Sequence, residues 1–73
     1  METTSQTDPI EQIGQTAGLV WHKLHEAGPL SPAKLVQAID APRDVTLQAI
    51  GWLAREGKLL IENTSRGRTV ALR

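Results

Sequence analysis

No cysteine occurs in this chain, which excludes disulfide staples and thiolate metal sites. Phenylalanine and tyrosine are absent too. The two tryptophans, Trp21 and Trp52, supply all the aromatic surface, so there is no platform on which single-stranded nucleic acid could stack base after base. No apolar run exceeds a few residues, and a transmembrane helix is excluded. The opening residues METTSQTD carry neither a basic nor an apolar leader region, so a secretory signal is not expected and the protein reads as cytoplasmic, with no membrane partner. Eight basic and eight acidic residues cancel, which argues against strong long-range steering toward a polyanion. At 73 residues the chain forms one small domain whose stability must come from packing, a partner or self-association.

What is present is a succession of local start and stop signals. Residues 1–8 are polar and aperiodic and are expected to form a flexible N-terminal tail, leaving residues 9–73 as the folded domain. Asp8-Pro9 with Glu11 is a helix start, in which Asp8 caps and Pro9 occupies the first turn. Ile10, Ile13, Ala17, Val20, Trp21 and Leu24 recur at helical spacing and form the expected core face, and Gly28-Pro29 ends the helix. Ser31-Pro32 repeats the start signal for a short second helix carrying Leu35, Val36 and Ile39. After the Asp40-Ala41-Pro42 bend, a third helix places Thr46, Ala49, Ile50 and Leu53 on its core side, and Gly57 stops it. Alternation then predicts strands over about 58–63 and 68–72, with Ile61 opposite Val70, Leu59 opposite Leu72, and Thr64-Ser65-Arg66-Gly67 as the turn. Leu30 is placed for a brief third strand against this hairpin. The expected fold is α+β: a winged helix-turn-helix of three helices and a C-terminal two-stranded β-hairpin wing.

Three stretches, IGQTAGLVWHKL, GPLSPAKLVQAIDAPRDVTLQAIGWLAREGKLLIE and GRTVALR, resemble a family of small bacterial and archaeal winged helix-turn-helix proteins of unknown function. The combination of AG-x-VW-x-x-L, PRD and GWLAREGK carries the resemblance, which spans residues 10–73. It implies the winged-helix fold and dimer formation. It transfers no catalytic or ligand residue.

Candidate nucleic-acid contacts lie in two places. The side of the third helix opposite its core residues carries Asp44, Gln48, Gly51 and Arg55, with Arg43 and Leu47 at its N-terminal edge. Arginine can bond guanine, glutamine can bond adenine, and a glycine allows close backbone approach. Asp44 opposes phosphate, and an ordinary solvated helix face is an equally good account. Positive charge concentrates on the hairpin, where Lys58, Arg66, Arg68 and Arg73 face only Glu62. Arg66 and Arg68 flank the turn and suit phosphate contact, although basic residues also serve merely to blunt exposed strand edges.

The first helix suggests an interface. Gly14 and Gly18 stand four apart, with Trp21 and His25 continuing the same flank, and Leu19 points away from the core stripe. Either the glycines accommodate Trp52 or the tail within one chain, or Gly14, Gly18, Leu19 and Trp52 belong to a symmetric dimer interface. His22 and His25 are too few for a zinc site, and Ser31 is accounted for by capping. There is no nucleophile elbow, phosphate-binding glycine loop or paired carboxylate set, so neither enzyme activity nor a cofactor or small-molecule ligand is expected. Two functions fit this layout: a module binding double-stranded DNA, of transcription-regulator type, or a protein-interaction or dimerisation module without DNA. The complete docking geometry places DNA binding first.

Overall fold

A computed structural model describes residues 8–73; residues 1–7 of the expected tail lie outside the described residues. The chain folds as α1 (Pro9–Ala27), α2 (Pro32–Ala38), α3 (Arg43–Arg55), β1 (Leu59–Thr64) and β2 (Gly67–Leu72). Each helix begins where its capping chemistry begins. The Asp8 carboxylate accepts from the Ile10 amide at 2.8 Å and the Glu11 amide at 3.4 Å, and the Ser31 hydroxyl accepts from the Lys34 amide at 3.1 Å. These bonds satisfy first-turn amides that have no partner inside a helix. α3 starts differently: Pro42 stands at its N-cap without a side-chain bond, and the Asp44 carboxylate accepts from the Val45 amide at 2.9 Å. An acidic group there also complements the helix dipole. Gly28 and Gly57 end α1 and α3 at φ of 82° and 78°, a region costly for residues bearing a Cβ.

The turn of the helix-turn-helix is short. The Ala41 amide donates to the Ile39 carbonyl at 2.9 Å, and the Pro42 carbonyl accepts from both the Thr46 amide (2.9 Å) and the Thr46 hydroxyl (3.1 Å). Thr46 can therefore be fully buried, because its one polar atom is satisfied locally. Around it, Ala17, Val20 and Leu24 of α1, Leu35 of α2, Ile39, Ala49, Ile50 and Leu53 of α3, Leu59 and Val70 close a single core. α1 and α3 form its principal helix pair.

The hairpin has the expected register, Leu59 with Leu72 and Ile61 with Val70, and pairing continues to Thr64 and Gly67, leaving Ser65-Arg66 as the loop. Leu30 makes an isolated antiparallel bridge to Val70, with reciprocal amide-to-carbonyl bonds of 3.0 and 2.8 Å. The brief third strand is thus a single pair that ties the α1–α2 connection to the sheet.

Two residues of the expected core face, Ile10 and Trp21, are not in the core, and Ile61 is exposed as well. Ile10 is 75% exposed: it lies in the first turn of α1 and borders an open depression with Ile13, Gln48 and Trp52 that nothing fills among the described residues. Trp21 is 37% exposed: it lies roughly 70° around the helix from the centre of Ile13, Ala17, Val20 and Leu24. Ile61 is exposed although it shares a sheet face with buried Leu59, since the wing extends past the helices that cover its base. No described helix is long and apolar enough to cross a membrane.

Candidate nucleic-acid interface

α3 turns Val45, Thr46, Ala49, Ile50 and Leu53 inward and leaves Arg43, Asp44, Leu47, Gln48, Gly51 and Arg55 exposed. The structure therefore leaves all four expected contact residues exposed, with Gln48, Gly51 and Arg55 on one side of α3 and Arg43 at the edge of that side. Asp44 shares it, but its carboxylate is already engaged by the first-turn amide of Val45. Gly51 sits at mid-helix, and a Cβ built on it meets nothing within 4 Å. Gln48 has a second neighbourhood, since it lines an open depression of about 210 Å³ with Ile10, Ile13 and Trp52.

The wing is pinned to α3 by backbone bonds. The Lys58 amide donates to the Leu53 carbonyl at 2.9 Å, and the Arg73 amide donates to the Lys58 carbonyl at 3.1 Å. At the tip the Thr64 hydroxyl donates to the Gly67 carbonyl (3.0 Å) and accepts from the Arg66 amide (3.2 Å), so the backbone under Arg66 is fixed while its side chain is solvated. Arg68 is less free: its Nε donates across the sheet to Asn63 Oδ1 at 3.1 Å. That bond leaves the terminal guanidinium nitrogens for an anion. Among the described residues the ion pair is Lys23 with Glu26 at 3.4 Å, on α1, well away from these arginines in sequence.

The expected interface set does not stay together. Gly14, Gly18 and Trp52 line one groove of about 330 Å³ between α1 and α3, together with Ala17, Trp21, Leu53 and Lys58. Leu19, 48% exposed, borders a different depression between α1 and the end of α2, with His22, Lys23, Glu26, Ile39 and Asp40. The cause is angular, because Leu19 points about 100° around the helix from Gly18. A Cβ on Gly14 or Gly18 would meet nothing within 4 Å, so these glycines are not making room for Trp52, which is itself 47% exposed. Trp21 and His25 stack, with ring centroids 5.0 Å apart and planes 11° off parallel, and His22 meets the edge of Trp21 at 5.4 Å. The flank shared by Trp21, His25 and the glycines was legible from spacing; the part played by Ile10, Ile13 and Lys58 was not, because it depends on where α3 crosses α1.

A family described as Winged helix-turn-helix domain (DUF2582) matches residues 7–72. The chain belongs to this family. Its fold is similar to the solution NMR structure of protein BT2368 from Bacteroides thetaiotaomicron, which shares 35% sequence identity, with a TM-score of 0.76 over 85% of this chain and 76% of that one. No curated protein matches. The family description agrees with the three helices and the two-stranded hairpin described above, and it assigns no site to Arg43, Arg55 or the wing.

Proposed function

We propose that this winged helix-turn-helix protein is a double-stranded DNA-binding module of transcription-regulator type, working in the cytoplasm. The observation that carries the reading is the outward surface of α3, where Gln48, Gly51 and Arg55 are solvated on one side and Arg43 at its edge, at the second helix of a helix-turn-helix. Inserted in a major groove about 12 Å wide, this helix offers bidentate donors to guanine and adenine edges and a backbone that can approach closely at Gly51. Arg66 and Arg68 supply phosphate contacts from the wing. With about four cations engaged, the logarithm of affinity should fall with the logarithm of salt at a slope near −3.6. This is a weakly charged reader, consistent with zero net charge.

The test is a titration of the isotopically labelled protein with mixed-sequence duplex DNA at low salt, following backbone amide shifts. Movement confined to residues 43–55 and 64–69 supports the reading, and stationary signals there remove it. A second reading, a protein-interaction module acting without DNA, is favoured by two neighbouring depressions that share exposed Trp52, one lined also by exposed Trp21 and the other by exposed Ile10. Movement limited to Gly14, Gly18 and Trp52 as protein concentration rises, with no response to DNA, selects it.

A further inference from the structure

We infer that Asp44 and Leu47 set the base preference of α3: the Asp44 carboxylate accepts from the amino group of a cytosine, and Leu47 covers the methyl group of a thymine one or two base pairs away. The inference rests on the DNA-binding reading and gives a role to two exposed residues which that reading leaves unused. At 100° per residue, Asp44 and Gly51 lie most directly opposite the buried side of α3. Leu47 flanks that line on one side and Gln48 on the other, each about 50° from it. A recognition helix meets base edges chiefly through its N-terminal residues. Asp44, Leu47 and Gln48 all belong to the first half of α3, whereas Arg55 is its last residue.

This turn of the helix is held before any DNA arrives. The Pro42 carbonyl takes both the amide and the hydroxyl of Thr46, and the Val45 amide donates to Asp44 Oδ1 at 2.9 Å. The second bond orients the carboxylate, and Asp44 Oδ2 has no hydrogen-bond partner among the described residues. A carboxylate on a groove-facing surface repels phosphates and every acceptor on the base edges, so it is accommodated only opposite a donor. In the major groove guanine shows acceptors, thymine an acceptor and a methyl, and adenine an acceptor beside its amino group. Cytosine presents its amino donor with no acceptor on the same base. Asp44 therefore selects by penalty as much as by contact. The formal net charge of zero keeps the general attraction to phosphate small, so that penalty weighs heavily in the choice between sequences.

Leu47 is the large apolar side chain on this surface and is 39% exposed, among neighbours that are charged, amide-bearing or glycine. Trp52, also exposed on α3, is turned instead toward residues of α1. The thymine methyl is the apolar group that a major groove offers, and aliphatic contact is how it is read. Residues three apart on a helix have Cβ atoms about 5–6 Å from each other, and successive base pairs are about 3.4 Å apart along the duplex. Asp44 and Leu47 thus reach base pairs one or two steps apart.

The test is to let the full chain select from a pool of random duplexes and then to remake the preferred duplex with base analogues. The selected site should contain a cytosine and a thymine within two steps of each other. Replacing that thymine with uracil, which lacks only the methyl, should weaken binding about fourfold, the fold-change that burial of one methyl supplies. Leu47→Ala should bind the thymine and uracil duplexes equally. Asp44→Asn should exchange cytosine for adenine at its position with a preference of about tenfold, because an amide matches the donor and acceptor of adenine together. Both variants should keep the circular dichroism of the parent, since Leu47 packs in no core and the asparagine oxygen retains the bond from Val45. The inference is overturned if duplex DNA binds with no preferred sequence, if Leu47→Ala keeps the uracil effect, or if Asp44→Asn leaves the cytosine preference in place. In each of those outcomes the DNA-binding reading survives. No duplex binding at low salt overturns both.

Discussion

Replacing Gly51 with alanine should stabilise the folded domain, an uncommon outcome for a substitution in the middle of a proposed binding helix. Gly51 lies inside α3, on the side away from the core, and it is not among the glycines with positive φ. A Cβ there meets no atom within 4 Å. No contact is gained or lost, and no strain is introduced, so what remains is the backbone entropy that glycine keeps in the unfolded chain. That difference is about 0.8–1.0 kcal/mol in a helix interior. The total stability of a domain this size is roughly 4–11 kcal/mol, so the change is measurable. It corresponds to about 4–8 °C in Tm, or close to 1 M in the urea midpoint for a slope near 1 kcal/mol/M. Urea unfolding followed by tryptophan fluorescence, at one fixed protein concentration, gives the number, and the slope should not change. A loss of stability would refute the reasoning, because it would mean that the space above Gly51 is occupied. The same surface is proposed to approach DNA, so a bulkier Gly51→Leu should bind duplex DNA more weakly while remaining folded. Unchanged affinity would show that this face of α3 is not the docking surface.

Other substitutions test separate parts of the structure. Leu35→Ala removes a side chain with no solvent exposure from the centre of the core and should cost about 2–5 kcal/mol in urea unfolding; a cost below about 1 kcal/mol would be inconsistent with that packing. Ser31→Ala deletes the hydroxyl that accepts from the Lys34 amide and should cost about 1 kcal/mol, with faster hydrogen exchange at Lys34 as the local signature. Thr46→Val should cost less than about 1 kcal/mol, because the Pro42 carbonyl keeps its bond from the Thr46 amide and no buried acceptor is orphaned. Arg66→Ala with Arg68→Ala should make the salt slope of DNA binding shallower by about 1.8. An unchanged slope in binding measured from low to moderate salt would remove the wing from the interface.

The helix limits were legible because their causes sit within a few residues of one another. Asp8 and Ser31 cap amides two or three positions ahead, and Gly28 and Gly57 stop helices by their own backbone freedom. The strand register was legible for a similar reason: side chains alternate between faces, which puts Leu59 and Val70 on the same side, and the turn residues between Thr64 and Gly67 select the pairing. The candidate site was less legible. The outward surface of α3 followed from helical periodicity, whereas the α1 flank did not resolve into separate neighbourhoods. Trp21 was expected first of all in the core stripe, yet the packing of α3 against α1 leaves it 37% exposed, and Leu19 was grouped with Gly14 and Gly18 although it borders a different depression.

The sequence by itself determined where each element begins and ends, which side of α3 meets the core and how the wing pairs, because capping, periodicity and alternation act between near neighbours. Only the tertiary structure decided which apolar residues stay outside the core. It left Ile10, Trp21 and Trp52 around two open depressions that share Trp52, and it gave the glycines of α1 empty space instead of an internal partner. Burial of a helix flank depends on the axis and reach of the element packed against it. Those are set by the sum of many weak contacts between residues distant in the chain, and no local pattern encodes that sum.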